Sequence, residues 1–146
     1  MGKGRAIKRI REARGMTQAQ LADLAGITDG GLRGYELDRR VPRAEHRLRI
    51  AEALGVAPEA LVDHGLADPD VFAHALLDLE GTEAAPVVEA DERGALLRVG
   101  GVHGAFLEDW LGARSRLESG EMSREEYERW RDGYVAKRGG DDGDQG

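Results

Sequence analysis

The chain has 146 residues, which suits one domain or a small domain with an appendage, and it contains no cysteine. Disulfides and thiolate metal sites are therefore excluded, and no apolar run approaches the roughly 20 residues that a membrane-spanning helix needs. The net charge of −7 is uneven: residues 1–66 carry 12 Lys and Arg against 9 Asp and Glu (+3), whereas residues 67–146 carry 9 against 19 (−10). Because the charged start has no apolar segment behind it, we predict no secretory signal and expect a cytoplasmic protein.

The positively charged part begins with two predicted helices. The first runs from Lys3 to Arg14 and ends at Gly15. Thr17 can cap a second helix from about Gln18 to Leu24. The apolar positions of this second helix are Leu21, Ala22, Leu24 and Ala25. Gly26 follows, and it tolerates a positive φ, so the chain can reverse there.

A third helix is predicted from about Asp29 to Leu37. Thr28 can cap it, and Leu32, Tyr35 and Glu36 share one face because they are spaced by three and four residues. Two short helices joined by a glycine-containing turn form a helix-turn-helix. The second helix of such a motif can enter the major groove of DNA.

Two further helices complete the N-terminal part. Pro42 suits the entry to a fourth helix from about Ala44 to Leu54, and Gly55 ends it. The side of this helix that we expect to face the core carries Leu48, Ile50, Ala51 and Leu54. A short fifth helix is predicted over Ala57–Leu61, with Pro58 in its first turn.

The first section of the acidic C-terminal part combines a helix and a hairpin. Asp68 can cap a helix whose apolar stripe continues to about Glu80. The segments 87–89 (VVE) and 95–99 (ALLRV) flank residues 90–94 (ADERG), which predicts a small β-hairpin. Two strands alone are marginal in water, so the hairpin needs a further element or a partner strand.

A helical hairpin is predicted at the C-terminal end. One helix covers Gly104–Leu117, and a second starts at Ser123, where Glu126 can complete a capping box, and continues to about Lys137. Aromatic residues share one face of the second helix, which favours core or dimer packing over base stacking in this acidic setting. These residues are Tyr127, Trp130 and Tyr134. The Gly- and Asp-rich residues 139–146 are predicted to be disordered.

One sequence pattern extends through residues 3–66 in a single register. It comprises Arg11, Gly15-Met16-Thr17-Gln18, Leu21-Ala22, Ala25-Gly26-Ile27-Thr28, Leu32, Tyr35-Glu36, Arg39-Arg40, Pro42 and Ile50-Ala51-Ala53-Leu54-Gly55-Val56. The pattern resembles the Cro/phage-repressor (Xre-like) helix-turn-helix transcriptional regulator family. The C-terminal unit SGEMSREEYERW is similar, less specifically, to a helical-hairpin tail on some bacterial members.

The resemblance and the helix pattern together imply an all-α fold. A five-helix repressor-type helix-turn-helix domain would be followed by an extra helix, a small β-hairpin and a C-terminal helical hairpin. We expect residues 1–66 to bind DNA. Residues 67–138 would form an acidic, mainly helical region for dimerisation or partner binding, and residues 139–146 a disordered tail.

The resemblance also assigns roles to individual residues. It implies that Arg11 forms a partly buried ion pair with Glu36 and joins the first helix to the third. It places Thr17 and Gln18 against the DNA backbone, where a helix N-terminus offers free N–H groups to phosphate. The alternative for Gln18 is a structural role as the cap partner of Thr17.

The base-reading positions of the third helix depart from the family pattern. They fall on Asp29, Gly30 and Gly34, and glycine has no side chain that could contact a base. One explanation is that the helix backbone approaches the bases closely, with specificity from Thr28, Asp29, Arg33 and DNA shape. The other is that sequence specificity is weak or that DNA binding has been lost.

A basic segment follows the third helix. By their position in the family, Arg39, Arg40 and Arg43 can hold DNA phosphates and set the docking register. The alternative for these arginines is a solvated loop. Because this segment is retained, we favour DNA binding.

Other kinds of chemistry find no support in the sequence. The four histidines are scattered, no phosphate-binding loop occurs, and no serine has a neighbouring histidine, so we predict no enzyme, metal or cofactor. The predicted function is a DNA-binding transcriptional regulator, in particular a repressor that binds double-stranded DNA as a homodimer. The alternative is an antitoxin-like or adaptor protein whose region 67–138 binds a protein partner.

Overall fold

The computed structural model describes residues 2–137, so the tail predicted to be disordered, residues 139–146, lies outside the described residues. The elements are α1 (Gly4–Ala13), α2 (Gln18–Ala25), α3 (Asp29–Glu36), α4 (Ala44–Leu54), a 3₁₀ helix (Pro58–Leu61), α5 (Pro69–Leu77), β1 (Val87–Asp91), β2 (Gly94–Arg98), α6 (Gly101–Glu118) and α7 (Arg124–Gly133). The predicted mainly helical fold with one small hairpin is confirmed.

Several element ends differ from the prediction. The short fifth helix is a 3₁₀ turn, and α5 stops at Leu77 instead of Glu80. Beyond α5 the hydroxyl of Thr82 donates to the carbonyl of Leu79 at 2.7 Å. This carbonyl therefore has a hydrogen-bond partner without a continuing helix. The last helix stops at Gly133 instead of Lys137, because glycine is a poor helix former.

The chain divides into two compact units. The first contains the residues up to His64 together with Trp130–Tyr134, and the second contains Gly65–Arg129. The sequence pattern did not anticipate that a segment near the C-terminus packs with the first unit.

The core of the first unit is built from α1 to α4 and the 3₁₀ helix. Its buried residues are Ile7, Ile10, Leu21, Ala22, Ala25, Leu32, Tyr35, Ile50, Ala51, Leu54, Val56 and Leu61. Leu48 was expected on the core side of α4 but is 54% exposed, and Leu24, an apolar position of α2, is 62% exposed. At about 100° per residue, each lies about 60° outside the arc of its helix that the buried residues occupy.

The start of α1 lies directly against the end of α3. The backbone N–H of Gly4 donates to Asp38 Oδ1 at 2.8 Å, which satisfies one of the free donors at the helix N-terminus. Asp38 holds a φ of 55°, the one positive φ of a non-glycine residue within the described residues. A Cβ on Gly4 would overlap the carbonyl oxygen of Tyr35, so glycine is required for this approach.

Within the first unit, Asp132 connects the segment Trp130–Tyr134 to the residues before His64. This carboxylate is 7% exposed and accepts hydrogen bonds from Arg9 Nη2 at 3.0 and 2.9 Å. The backbone carbonyl of Asp132 also accepts from the N–H of Ala57 at 3.0 Å. A charged side chain and a backbone group of one residue therefore both bind the helix-turn-helix part of the chain.

The second unit has few buried side chains. Trp110 Nε1 donates to the hydroxyl of Tyr127 at 2.9 Å, which joins α6 to α7. The predicted capping box is present: Ser123 N donates to Glu126 Oε2 at 2.7 Å and Glu126 N donates to Ser123 Oγ at 3.2 Å. The backbone N–H of Ser123 lowers the pKa of Glu126. All residues of α5 except Leu76 are exposed.

We predict that Gly4→Ala destabilises the protein. The added methyl overlaps a backbone carbonyl that cannot move without displacing α3, so the free energy of unfolding should fall by about 1–3 kcal/mol. Urea unfolding followed by circular dichroism measures the change. Gly112→Ala is the matched control: its Cβ meets no atom within 4 Å, and it should raise the stability of α6 by up to about 1 kcal/mol. Equal stability of Gly4→Ala and the parent would contradict the prediction.

Candidate nucleic-acid interface

The N-terminus of α2 is capped by Thr17 and Gln20. Thr17 Oγ1 accepts from Gln20 N at 3.1 Å, and Gln20 Oε1 accepts from Thr17 N at 2.9 Å, which completes a capping box. The structural alternative for Gln18, a cap partner of Thr17, is therefore wrong, because Gln20 occupies that role. The sequence signal that could have indicated this pairing is a glutamine three residues after a threonine.

Arg11 and Glu36 form a buried, two-bond ion pair. Arg11 Nε donates to Glu36 Oε1 at 2.6 Å and Arg11 Nη2 donates to Oε2 at 3.1 Å. The two residues are 7% and 4% exposed. The hydrogen bond to Glu36 raises the pKa of Arg11, so the guanidinium stays charged. The pair joins α1 to α3 as the sequence analysis expected.

Two further bonds extend this pair into a network. Arg11 Nη1 donates to the carbonyl of Met16 at 2.7 Å, and Gln18 Nε2 donates to Glu36 Oε2 at 2.7 Å. The network therefore binds α1, the turn before α2, the first residue of α2 and the last residue of α3. It places the N-terminus of α2 beside α3 in one arrangement.

The outer face of α3 is polar and almost free of side chains. Thr28 Oγ1 accepts from Gly31 N at 3.0 Å and caps the helix. Thr28, Asp29, Gly30 and Arg33 are exposed, and Gly34 is half-buried. This face therefore presents backbone at the centre and charged side chains at its margins.

The carbonyl of Gly34 organises the basic segment that follows α3. It accepts from the backbone N–H groups of Arg39 at 2.9 Å and Arg40 at 3.3 Å. The side chain of Arg40 lies across the glycine, with its Cδ 3.7 Å from the position of a Cβ on Gly34. An alanine at position 34 would make only ordinary van der Waals contact with this side chain.

Four exposed arginines lie on α3 or in the segment between α3 and α4. They are Arg33, Arg39, Arg40 and Arg43. Within residues 2–137, none of these four side chains forms an ion pair or a side-chain hydrogen bond, whereas Arg49 and Arg114 pair with glutamates on their own helices. Exposed guanidinium groups without a carboxylate partner attract phosphate.

A model of the helix-turn-helix family matches residues 7–61. The matched segment covers most of α1 and all of α2, α3, α4 and the 3₁₀ helix. The match supports a DNA-binding regulator. No curated protein matches the chain significantly. Among solved structures, a chain of the complex of the SinR and SinI proteins is similar, with 20% sequence identity over 80% of this chain and 97% of that chain and a TM-score of 0.41.

The helix-turn-helix domain contains a further contact that the sequence did not indicate. The hydroxyl of Tyr35 and Nδ1 of His46 are hydrogen-bonded at 2.7 Å, with the two rings packed edge to face. This contact joins α3 to α4. Together with the Arg11–Glu36 pair, it holds α3 from two sides.

Residues 2–137 contain neither a candidate metal cluster nor a candidate membrane span. No group of three or more His, Cys, Asp or Glu side chains there is arranged to hold a metal ion. Over the same residues, no helix has the length and apolar character of a membrane span.

We predict that breaking the Arg11–Glu36 pair on one side costs more than removing it entirely. Arg11→Met or Glu36→Met leaves one buried charge without its partner and should lower the free energy of unfolding by about 3–5 kcal/mol. The double variant should lose less than the sum of the two single losses. A double-mutant cycle by urea unfolding measures the difference, and strictly additive losses would refute the coupling.

Proposed function

We propose that the protein is a transcriptional repressor that binds operator DNA as a homodimer, with α3 of each subunit in the major groove. The single observation that carries this proposal is the set of four exposed, unpaired arginines on α3 and in the segment directly after it. In a helix-turn-helix, that helix is the one that contacts base edges. A dimer that covers two adjacent half-sites would repress by excluding other proteins from the same DNA.

The proposed contacts divide into those to phosphate and those to bases. Arg39, Arg40 and Arg43 hold the DNA backbone and set the register, and the N-terminus of α2 at Thr17 and Gln18 points at phosphate. The bond from Gln18 to Glu36 orients the amide before DNA is present. Residues 67–138 supply the subunit contacts in this proposal. Helix-turn-helix dimers bind half-sites one turn of DNA apart, so the two copies of α3 would lie about 34–36 Å apart.

The proposed base contacts lie at the margins of α3. Arg33 can donate two hydrogen bonds to guanine, and Asp29 can accept from an amino group of cytosine or adenine. Thr28 lies beside them at the start of the helix. The glycines at the centre of the face would let the backbone of α3 sit deep in the groove.

The space around the two glycines supports this role. A Cβ on Gly30 would meet no atom within 4 Å, and on Gly34 it would make only ordinary contact with Arg40. Internal packing therefore requires neither glycine, although each costs about 1 kcal/mol relative to alanine in a helix. Closer approach of the α3 backbone to DNA would compensate for this loss of helix stability.

We predict that Arg40→Ala weakens binding to all duplex DNA alike. The preferred sequence is first selected from a random pool, and affinity for it and for unrelated DNA is then measured by fluorescence anisotropy at several salt concentrations. Loss of one phosphate contact should reduce the slope of log affinity against log salt by about 0.9. Arg114→Ala, which removes an exposed arginine on α6, is the matched control and should leave the slope unchanged. An unaltered slope in Arg40→Ala, or no preferred sequence in the pool, argues against the proposal.

Gly30→Ala and Gly34→Ala are predicted to separate stability from DNA affinity. Each should raise the free energy of unfolding by up to about 1 kcal/mol, because alanine favours the helix and its methyl fits. Each should also lower affinity for the selected DNA about tenfold, equivalent to about 1.4 kcal/mol, since the methyl keeps the backbone from the base edges. Gly112→Ala controls for helix stabilisation alone. Alanine variants that bind as tightly as the parent would exclude close approach.

A further inference from the structure

The β-hairpin of the second unit is open to solvent on both faces and along both edges. Strands β1 and β2 pair antiparallel, from Val87 opposite Arg98 to Asp91 opposite Gly94. Every residue of both strands is exposed, and within the described residues the sheet has only these two strands. Two strands alone are marginal in water, so this hairpin gains stability from any further strand.

One face of the hairpin is entirely apolar. Because side chains alternate along a strand, Val88, Ala90, Ala95 and Leu97 lie on the same face. Val88 is 64% exposed and Leu97 is 41% exposed. The opposite face carries Glu89 and Arg98, whose charged groups lie 4.0 Å apart. The apolar face is therefore the one that a larger sheet would extend.

The pairing register of β1 with β2 determines which backbone N–H and C=O groups at each edge of the hairpin have no partner strand. The turn has only two residues, so Asp91 and Gly94 form a hydrogen-bonded pair, and every second pair along the ladder is bonded likewise. Ala95 and Leu97 therefore direct their N–H and C=O groups away from β1. On the other edge, Val88 and Ala90 do the same.

The charges of the two edges distinguish them. If β1 paired antiparallel with β1 of a second copy about its central residue, Glu89 would face Glu89, and like charges directly opposite are destabilising. If β2 paired with β2 about Leu96, leucine would face leucine, Ala95 would face Leu97, and Arg98 would face Gly94. In its central register the β2 edge is therefore complementary to itself, whereas the β1 edge is not.

The hairpin also has little net charge. Residues 87–98 contain 2 arginines against 3 acidic residues, a net of −1, whereas residues 67–146 carry −10. Two copies of the acidic region repel each other least where they meet at the hairpin. Charge therefore favours the hairpin as the place of contact.

We propose that β2 pairs antiparallel with β2 of a second copy of this chain, centred on Leu96, to form a four-stranded sheet. The two-fold axis would be perpendicular to the sheet, so the apolar faces of the two hairpins join into one surface of eight side chains. The outward groups of Ala95 and Leu97 would bond to those of Leu97 and Ala95 in the partner. This inference rests on the proposed dimeric binding mode and names its surface.

A single introduced cysteine tests the register directly, because the natural chain has none. Leu96 would face its equivalent in a non-hydrogen-bonded pair, with Cβ atoms about 4.5–5.5 Å apart. Leu96→Cys in the full chain should therefore form a disulfide-linked dimer under oxidised glutathione, seen on a non-reducing gel. Glu89→Cys, at the centre of the β1 edge, is the matched control and should stay monomeric on the same gel. Equal or greater cross-linking of Glu89→Cys would overturn the assignment.

Leu96→Glu supplies a second measurement without oxidation. It places like charges opposite each other, so the dimer dissociation constant from sedimentation should rise at least tenfold. If the parent is a dimer and Leu96→Glu leaves its dissociation constant unchanged, β2 is not the interface. If the parent is monomeric and Leu96→Cys does not cross-link, a strand from another protein becomes the occupant to seek. DNA binding by the parent in either case would preserve the proposed function, whereas cross-linking without DNA binding would overturn that function alone.

Discussion

The arrangement of the helix-turn-helix domain depends on one buried carboxylate. Glu36 accepts two hydrogen bonds from Arg11 and one from Gln18. A carboxylate taken out of water is costly unless its lone pairs are satisfied, and here three donors from α1 and α2 satisfy them. Any shift of α3 relative to α1 or α2 would leave part of this charge without a partner. The position of α3, and with it that of its outer face, is therefore fixed by the free-energy cost of leaving the Glu36 carboxylate without its donors.

This constraint explains how a helix with three glycines keeps its shape. Helix α3 has only eight residues, and Gly30, Gly31 and Gly34 give it low intrinsic helicity. Its stability comes from the inner face, where Leu32 and Tyr35 are buried and Tyr35 binds His46. The residues of the outer face are therefore not needed to stabilise the helix, and they can differ according to what the helix binds.

Local signals in the sequence were sufficient for much of the fold. The caps at Thr17, Thr28 and Ser123, and the turn at Gly26, depend on residues within four positions of one another. The pairing of Arg11 with Glu36 spans 25 residues and was reached only through the resemblance. The residues around α3 were likewise placed by resemblance, and their contacts with DNA stay predictions.

Contacts between distant residues without such a pattern were not predictable. The bond from Gly4 to Asp38 requires a backbone turn with positive φ that no glycine marks. The hairpin was found from alternation, but which of its edges is complementary to itself depends on the register of pairing. Periodicity also overestimated the width of the core, because the buried arc in short helices omits Leu24 and Leu48.

The attachment of Asp132 to Arg9 has a consequence for folding during synthesis. The two residues are 123 positions apart, so the N-terminal helices emerge from the ribosome long before their last contact exists. The core of α1 to α4 uses only early residues and can form as soon as they are free. The bonds of Asp132 to Arg9 and Ala57 close last. A chain that ends before Asp132 would contain the core of α1 to α4 but lack these contacts.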